Sequence, residues 1–382
     1  MRKIVLAFDS FKGSVSAEEI TSSLTQTITL EWPGCEVCAF PIADGGEGTV
    51  QAIERVLPVT RYNCCVHGPL QEMRSASYVV TSEGVAVIEM AAANGLPLVP
   101  GELRNPLETT TLGTGELIAD ALNRGCRKFV IGLGGSATND AGIGVMHALG
   151  VRFLDDKGEV LEPKGRNLGK ICKIDRTHIR RELTECEFVL ACDVTNPFYG
   201  PQGAAYVFAP QKGANAEQVI LLDQGLRSYA DCLAQEIGLN IASIPGAGAA
   251  GGMGGGLMAL LNGRLESGID IILDLTNIDE ALSTADIVLT GEGKIDAQTG
   301  MGKALNGVLQ RAKRAAVPVV GIAGSVEEVT RLNKLGFTSL FSIQSAPVSL
   351  EHAMQKDYAL RHINETVIQV LRLLDTACRK SY

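Results

Sequence analysis

The chain has 382 residues, with 34 Lys+Arg against 43 Asp+Glu, for a net charge of −9 with histidine neutral. That length exceeds the ~100–200 residues of one domain and is enough to bury a large core; 46% hydrophobic with 20% charged residues is globular rather than disordered composition. An acidic balance without a run of Lys or Arg lacks the electrostatic footprint of a nucleic-acid or anionic-membrane partner.

The opening Met1-Arg2-Lys3 and the apolar stretch 4–8 look like a leader, but Asp9 ends the apolar run well short of the roughly seven to fifteen residues export needs. No stretch approaches the ~18 apolar residues of a membrane span. Together with ten cysteines, this predicts a cytoplasmic protein with free thiols. Cys35-x-x-Cys38 has a spacing that serves zinc or redox sites. No second such pair follows and Cys64-Cys65 are adjacent, so buried structural thiols are the expectation.

In chain order, 4–8 reads as a buried strand and 16–30 as a helix opened by the capping box Ser16-Ala17-Glu18-Glu19. A strand over 36–42 and a helix over 48–56 follow. From about Cys64 the pattern turns to period two, and 75–81 and 85–90 read as an antiparallel hairpin about Ser82-Glu83-Gly84. Next come a helix over 113–123, a strand over 128–133 and a helix over 141–149. A hairpin about Asp155-Asp156-Lys157-Gly158, a strand over 188–192 and a long helix over 216–237 complete the middle. The last third alternates strictly: strands 285–289, 317–322 and 339–343 with helices 303–315, 326–335 and 350–377. The α/β pattern at both ends predicts one doubly wound domain from 1–63 and 265–382, with a mixed α+β domain inserted over 64–264. A cleft between the two is where a ligand would bind.

The 43 glycines, about 11% of the chain against a usual ~7%, are unevenly placed. Four loops after expected strands combine them with charged or hydroxyl residues. These are Asp9-Ser-Phe-Lys-Gly-Ser14, Asp44-Gly-Gly-Glu-Gly48, 132–140 (ending Ser136-Ala137-Thr138-Asn139-Asp140) and Gly291-Glu-Gly-Lys-Ile-Asp296. Bare backbone N–H groups at a helix entrance suit phosphate, and carboxylates suit the Mg²⁺ that accompanies it. Phosphoryl transfer needs such positioning and charge neutralisation. The tract 246–256 reads equally as an interdomain hinge or a nucleotide loop. No Walker Gly-x4-Gly-Lys-Ser/Thr is present, nor the His-Arg-Asp and Asp-Phe-Gly of protein kinases.

The chain resembles the bacterial type I glycerate kinases. Besides the loops above, the resemblance is carried by Ile88-Glu-Met-Ala-Ala-Ala-Asn-Gly95, Gly113-Thr-Gly-Glu-Leu-Ile118, Ala191-Cys-Asp-Val-Thr-Asn-Pro197, Pro210-Gln-Lys-Gly213 and the 245–254 segment, in order along the chain. It implies ATP-dependent, Mg²⁺-assisted phosphorylation of D-glycerate and a flavodoxin-like domain built from the chain ends. The product is 2-phosphoglycerate in one branch, the one favoured here, and 3-phosphoglycerate in the other. Lys294 departs from the family's more frequent Arg and would lose a bidentate grip.

In-line attack by a glycerate hydroxyl needs a carboxylate to orient or deprotonate it and cations to hold the charge. Asp193 is the first candidate for the base, with Asp44 and Asp296 in reserve; an Asp before Thr-Asn-Pro is also an ordinary turn former. Lys12, Arg104 and Lys294 are candidate clamps for carboxylate and phosphate, and Ser10, Gly134, Gly135, Ser136, Thr138 and Asn196 candidate donors to them. Asp140 and Glu292 are the candidate Mg²⁺ ligands, although Asp140 equally caps its own helix. Three rivals remain. An NAD(P) oxidoreductase rests on Gly132-x-Gly134-x-x-Ala137 with Asp155 beyond it, a binding protein on anion capture alone, and a serine hydrolase on a Gly-x-Ser-x-Gly elbow that is missing. Oligomeric state, a homo-oligomer included, is left open.

Overall fold

The computed structural model describes residues 2–42, 49–296 and 303–379. The chain divides into two compact units, one from 2–42, 51–56 and 269–379, the other from 57–268 with 49–50.

The first unit is built on a five-stranded, all-parallel sheet in the order Ser339–Ser342, Val319–Val326, Ile287–Ile295, Lys3–Phe8, Glu36–Ala39. Strand side chains alternate between its faces. Ile4, Leu6 and Phe8 pack with Ile20, Leu24 and Ile28 of helix Ala17–Glu31 and with Ile363 and Val367 of helix Lys356–Arg379. Val5 and Ala7 pack the opposite way, with Leu305 and Val308 of helix Lys303–Arg314 and with Ile269 and Leu273 of helix Gly268–Leu275. Both faces are covered, which is why these strands read as continuous apolar runs. The Ser16 capping box forms as expected, Ser16 Oγ accepting from the Glu19 amide at 3.2 Å and Glu19 Oε2 from the Ser16 amide at 3.1 Å.

The second unit has a six-stranded mixed sheet, ordered Arg264–Glu266, Glu187–Ala191, Lys128–Gly132, Val85–Glu89, Met73–Thr81, Val59–His67. The first four strands are parallel, and the last two are added antiparallel. Val59–His67 is longer than the period-two pattern implied and lies whole in this unit. Helices Leu112–Asn123, Ile143–Ala148, Ala216–Ile237 and Met253–Leu261 contribute to its one large core cluster.

The Asp155 hairpin forms as expected: Asp155 accepts from the amides of Lys157 and Glu159, both at 2.9 Å, and Leu154 bridges Val160 antiparallel, while the strand Arg152–Leu154 also pairs with Lys173–Asp175. Two local expectations change. Residues 291–295 continue the strand rather than leaving it, because Lys294 pairs with Ser325 and Ile295 is buried in the core. The tract 246–256 is not a hinge: it lies inside the second unit and is buried throughout. There Gly251, at φ +66°, brings its backbone against the carbonyl of Thr138, an approach and a dihedral that a side chain would obstruct.

Candidate active site

In the second unit, a cavity of about 510 Å³ opens at the carboxyl ends of the adjacent parallel strands Lys128–Gly132 and Glu187–Ala191, where parallel sheets characteristically bind ligands. Its wall carries Arg104, Gly134, Gly135, Ser136, Asp193 and Lys212. Five of these six are sequence candidates, drawn together from three stretches of chain.

The 134–136 segment leaves its strand with Leu96 N–H bonded to the Gly135 carbonyl at 2.8 Å and Ala137 N–H to the Asn94 carbonyl at 2.9 Å. These bonds pin the loop by its flanks, and Gly135 adopts φ +71°. The amides of Gly134, Gly135 and Ser136 have no acceptor among the described residues. Three successive uncommitted N–H groups on a cavity wall form a concavity suited to an anion. Asp193 Oδ1 accepts from the Gly268 amide at 3.3 Å, which holds the carboxylate at the strand end.

Lys212, which sequence reasoning passed over, is the most altered cation of the pocket. It is 2% exposed, and its Nζ donates to Ser136 Oγ and to the Thr138 carbonyl, each at 2.7 Å. Burial pulls its pKa down to about 7, against the opposing field of Asp140. The one sequence signal was its place in Pro210-Gln-Lys-Gly213, where a lone lysine among turn residues reads as surface.

Other candidates are placed differently. Thr138 is fully buried with its hydroxyl unpartnered, and its carbonyl faces Lys212. Asn196 Nδ2 donates to the Gln202 carbonyl at 2.8 Å, closing its own turn. Neither lines the pocket. Asp140 is committed within the fold: it is wholly buried, and its carboxylate accepts from Thr111 N at 2.7 Å, Thr111 Oγ1 at 2.8 Å, Gly142 N at 3.2 Å and Gly144 N at 3.3 Å. Three of those donors converge on Oδ2 and one reaches Oδ1, so most of its accepting capacity is spent inside the fold. Burial nonetheless raises its pKa. Among the described residues, no group of three His, Cys, Asp or Glu is placed to hold a metal.

In the first unit, Ser10, Lys12, Glu292 and Lys294 line a cavity of about 690 Å³ at the carboxyl ends of its strands, with Phe11, Ile343 and Pro347. Lys294 Nζ is held by Glu327 at 3.1 Å and Asp296 at 3.2 Å, and the pair raises its pKa. Asp296 thus serves as a counter-ion to Lys294. Asp44 lies outside the described residues. Cys35 and Cys38 are free and half-buried, and desolvation raises both thiols. The dinucleotide fingerprint fails, since Asp155 belongs to the turn of a small antiparallel ribbon instead of ending the next parallel strand.

Cation-bearing pockets at the carboxyl ends of parallel strands, one of them lined by uncommitted amides, suit small phosphorylated or carboxylated anions. The pattern described as the Glycerate kinase family matches residues 4–375. A Glycerate kinase of Bacillus cereus is 46% identical over 92% of this chain and 93% of its own length. A Glycerate 2-kinase of Escherichia coli K12 is 42% identical over 93% and 94%. A Salmonella typhimurium LT2 crystal structure described as glycerate kinase 2 superposes with a TM-score of 0.86, at 41% identity over 99% of both chains. The chain belongs to the glycerate kinase family and is a kinase, a phosphotransferase with an alcohol group as acceptor.

Proposed function

We propose that the protein transfers the γ-phosphoryl group of ATP to the C2 hydroxyl of D-glycerate, giving 2-phosphoglycerate. The observation that carries this reading is the set of uncommitted amides at Gly134, Gly135 and Ser136 on a wall shared with Arg104 and Asp193. Those amides take phosphate oxygens, and the Arg104 guanidinium takes the substrate carboxylate in a two-point grip. Asp193 orients the hydroxyl in line with the phosphorus and accepts its proton as the bond forms. A clamp on the carboxylate restrains the adjacent C2 hydroxyl more tightly than C3, one bond farther away, and the relative named Glycerate 2-kinase points the same way. Mg²⁺ belongs with the nucleotide, bound largely by phosphate and water with one or two protein carboxylates. The strand order of the first unit supports a flavodoxin-like description, and the free thiols suit a reducing cytoplasm.

The test is ³¹P NMR of a reaction containing ATP, Mg²⁺ and D-glycerate. A 2-phosphoglycerate resonance is expected. A 3-phosphoglycerate resonance alone overturns the position of transfer, and no phosphoglycerate overturns the substrate.

A further inference from the structure

Lys212 ends the short turn Pro210–Lys212, and Gly213 after it, at φ +95°, lets the chain pass close against Arg104. Its ammonium is therefore fixed beside the loop that carries the uncommitted amides. An ammonium has three N–H donors. Two go to neutral oxygens, Ser136 Oγ and the Thr138 carbonyl, and among the described residues none goes to a carboxylate. Burying a cation in this way is unfavourable unless something completes its partners, and Lys212 is part of the cavity wall.

We propose that Lys212 is a ligand-contacting residue of this pocket, its third ammonium hydrogen meeting the same anionic oxygen, of phosphate or carboxylate, that the amides of 134–136 receive. The proposal rests on reading the pocket as the kinase's anion site. Among the described residues the charged groups near it are Asp140, behind the loop, and Arg104 and Asp193 on the same wall; of these, the field of Asp140 supports the ammonium, and burial outweighs it. An anion in contact reverses that balance and raises the pKa, so binding takes up a proton. From a starting value of about 7, the uptake is about 0.5 proton at pH 7 and about 0.9 at pH 8. Because the bound state holds the extra proton, affinity is full below pH 7 and falls about tenfold per unit above it, until the pKa of the complex is reached.

The test is isothermal titration of the full-length protein at pH 8 in two buffers of different ionisation enthalpy, with Mg-ATP in one arm and D-glycerate in the other. Uptake of about 0.9 proton in either arm, lost in Lys212→Met together with at least tenfold of that titrant's affinity, supports the proposal and identifies which anion Lys212 meets. Lys212→Arg is expected to keep affinity and lose the uptake, since a guanidinium stays charged. Uptake below about 0.2 in both arms, which needs no variant to measure, overturns it, as does uptake undiminished in Lys212→Met. Proton-coupled binding without phosphoglycerate formation leaves the role of Lys212 standing and removes the kinase reading. Turnover without proton uptake does the reverse.

Discussion

Replacing Asp140 with Asn separates a structural carboxylate from a metal-binding one. Oδ2 accepts from Thr111 N, Thr111 Oγ1 and Gly144 N, while Oδ1 accepts from Gly142 N. An Asn that keeps its oxygen at the three-donor position turns an amide NH₂ toward the Gly142 N–H, leaving one buried donor unsatisfied at about 1–3 kcal/mol. The three remaining bonds also lose their charge assistance, so a total of about 3 kcal/mol is a reasonable centre. For a unit of about 200 residues that lowers Tm by roughly 6–12 °C. Calorimetry gives the shift, and a Mg²⁺ titration of the rate, run well below the new Tm, gives the second readout. The half-saturating Mg²⁺ concentration is expected to stay within about twofold of the parent. An unchanged Tm with a sharply raised Mg²⁺ requirement would refute the reasoning and return Asp140 to the metal.

Asp193→Asn keeps size and the contact with the Gly268 amide but cannot accept a proton. Its kcat should fall by about 10²–10⁴ with Tm unchanged, and turnover within threefold of the parent would remove it as base. Lys12→Met removes an exposed cation from the wall of the first unit's pocket. If that pocket takes part in the reaction, KM for ATP or glycerate rises about five- to twentyfold without loss of stability; less than a twofold change sets the pocket aside. Alkylation at pH 8, followed by mass spectrometry, should label exposed Cys65 and Cys172 first. Buried Cys232 and half-buried Cys64, each pushed up to about 11 by desolvation, should react last, and early labelling of Cys232 would contradict its burial.

What the sequence made legible was local. Helix Ala216–Ile237 is bounded by an Asn215 capping box and a left-handed Gly238, and both signals lie within a turn of the ends they mark. The Asp155 turn was equally visible, but the main partner of its strand, Lys173–Asp175, was not, because a three-residue strand carries too short a pattern to be heard. The full edge strand Val59–His67 was obscured because most of its side chains are only partly covered or exposed, which blurs alternation. At the site, glycine-rich loops at strand ends announced themselves by composition. Asp140 carries the same chemistry as a metal ligand in a string of letters; only the position of Thr111, far away in sequence, shows where its lone pairs are spent. Lys212 was missed for the converse reason, since burial of a lysine is a property of what surrounds it.

One of the two neighbours of strand Lys3–Phe8 is Ile287–Ile295, and the Thr290 hydroxyl that donates to the Ala7 carbonyl is synthesised 283 positions after it. At about 5–20 residues per second, roughly 15–60 s pass between the two. The continuous stretch 57–268 emerges whole in that interval and can close its own core. The apolar Ile4–Phe8 run meanwhile has Glu36–Ala39 on one side and an unoccupied edge on the other. Non-local pairing of this kind is slow to form and exposed to misassociation. The first unit thus becomes whole only after the stretch inserted into it, and its vulnerable period is set by the length of that insertion rather than by its own stability.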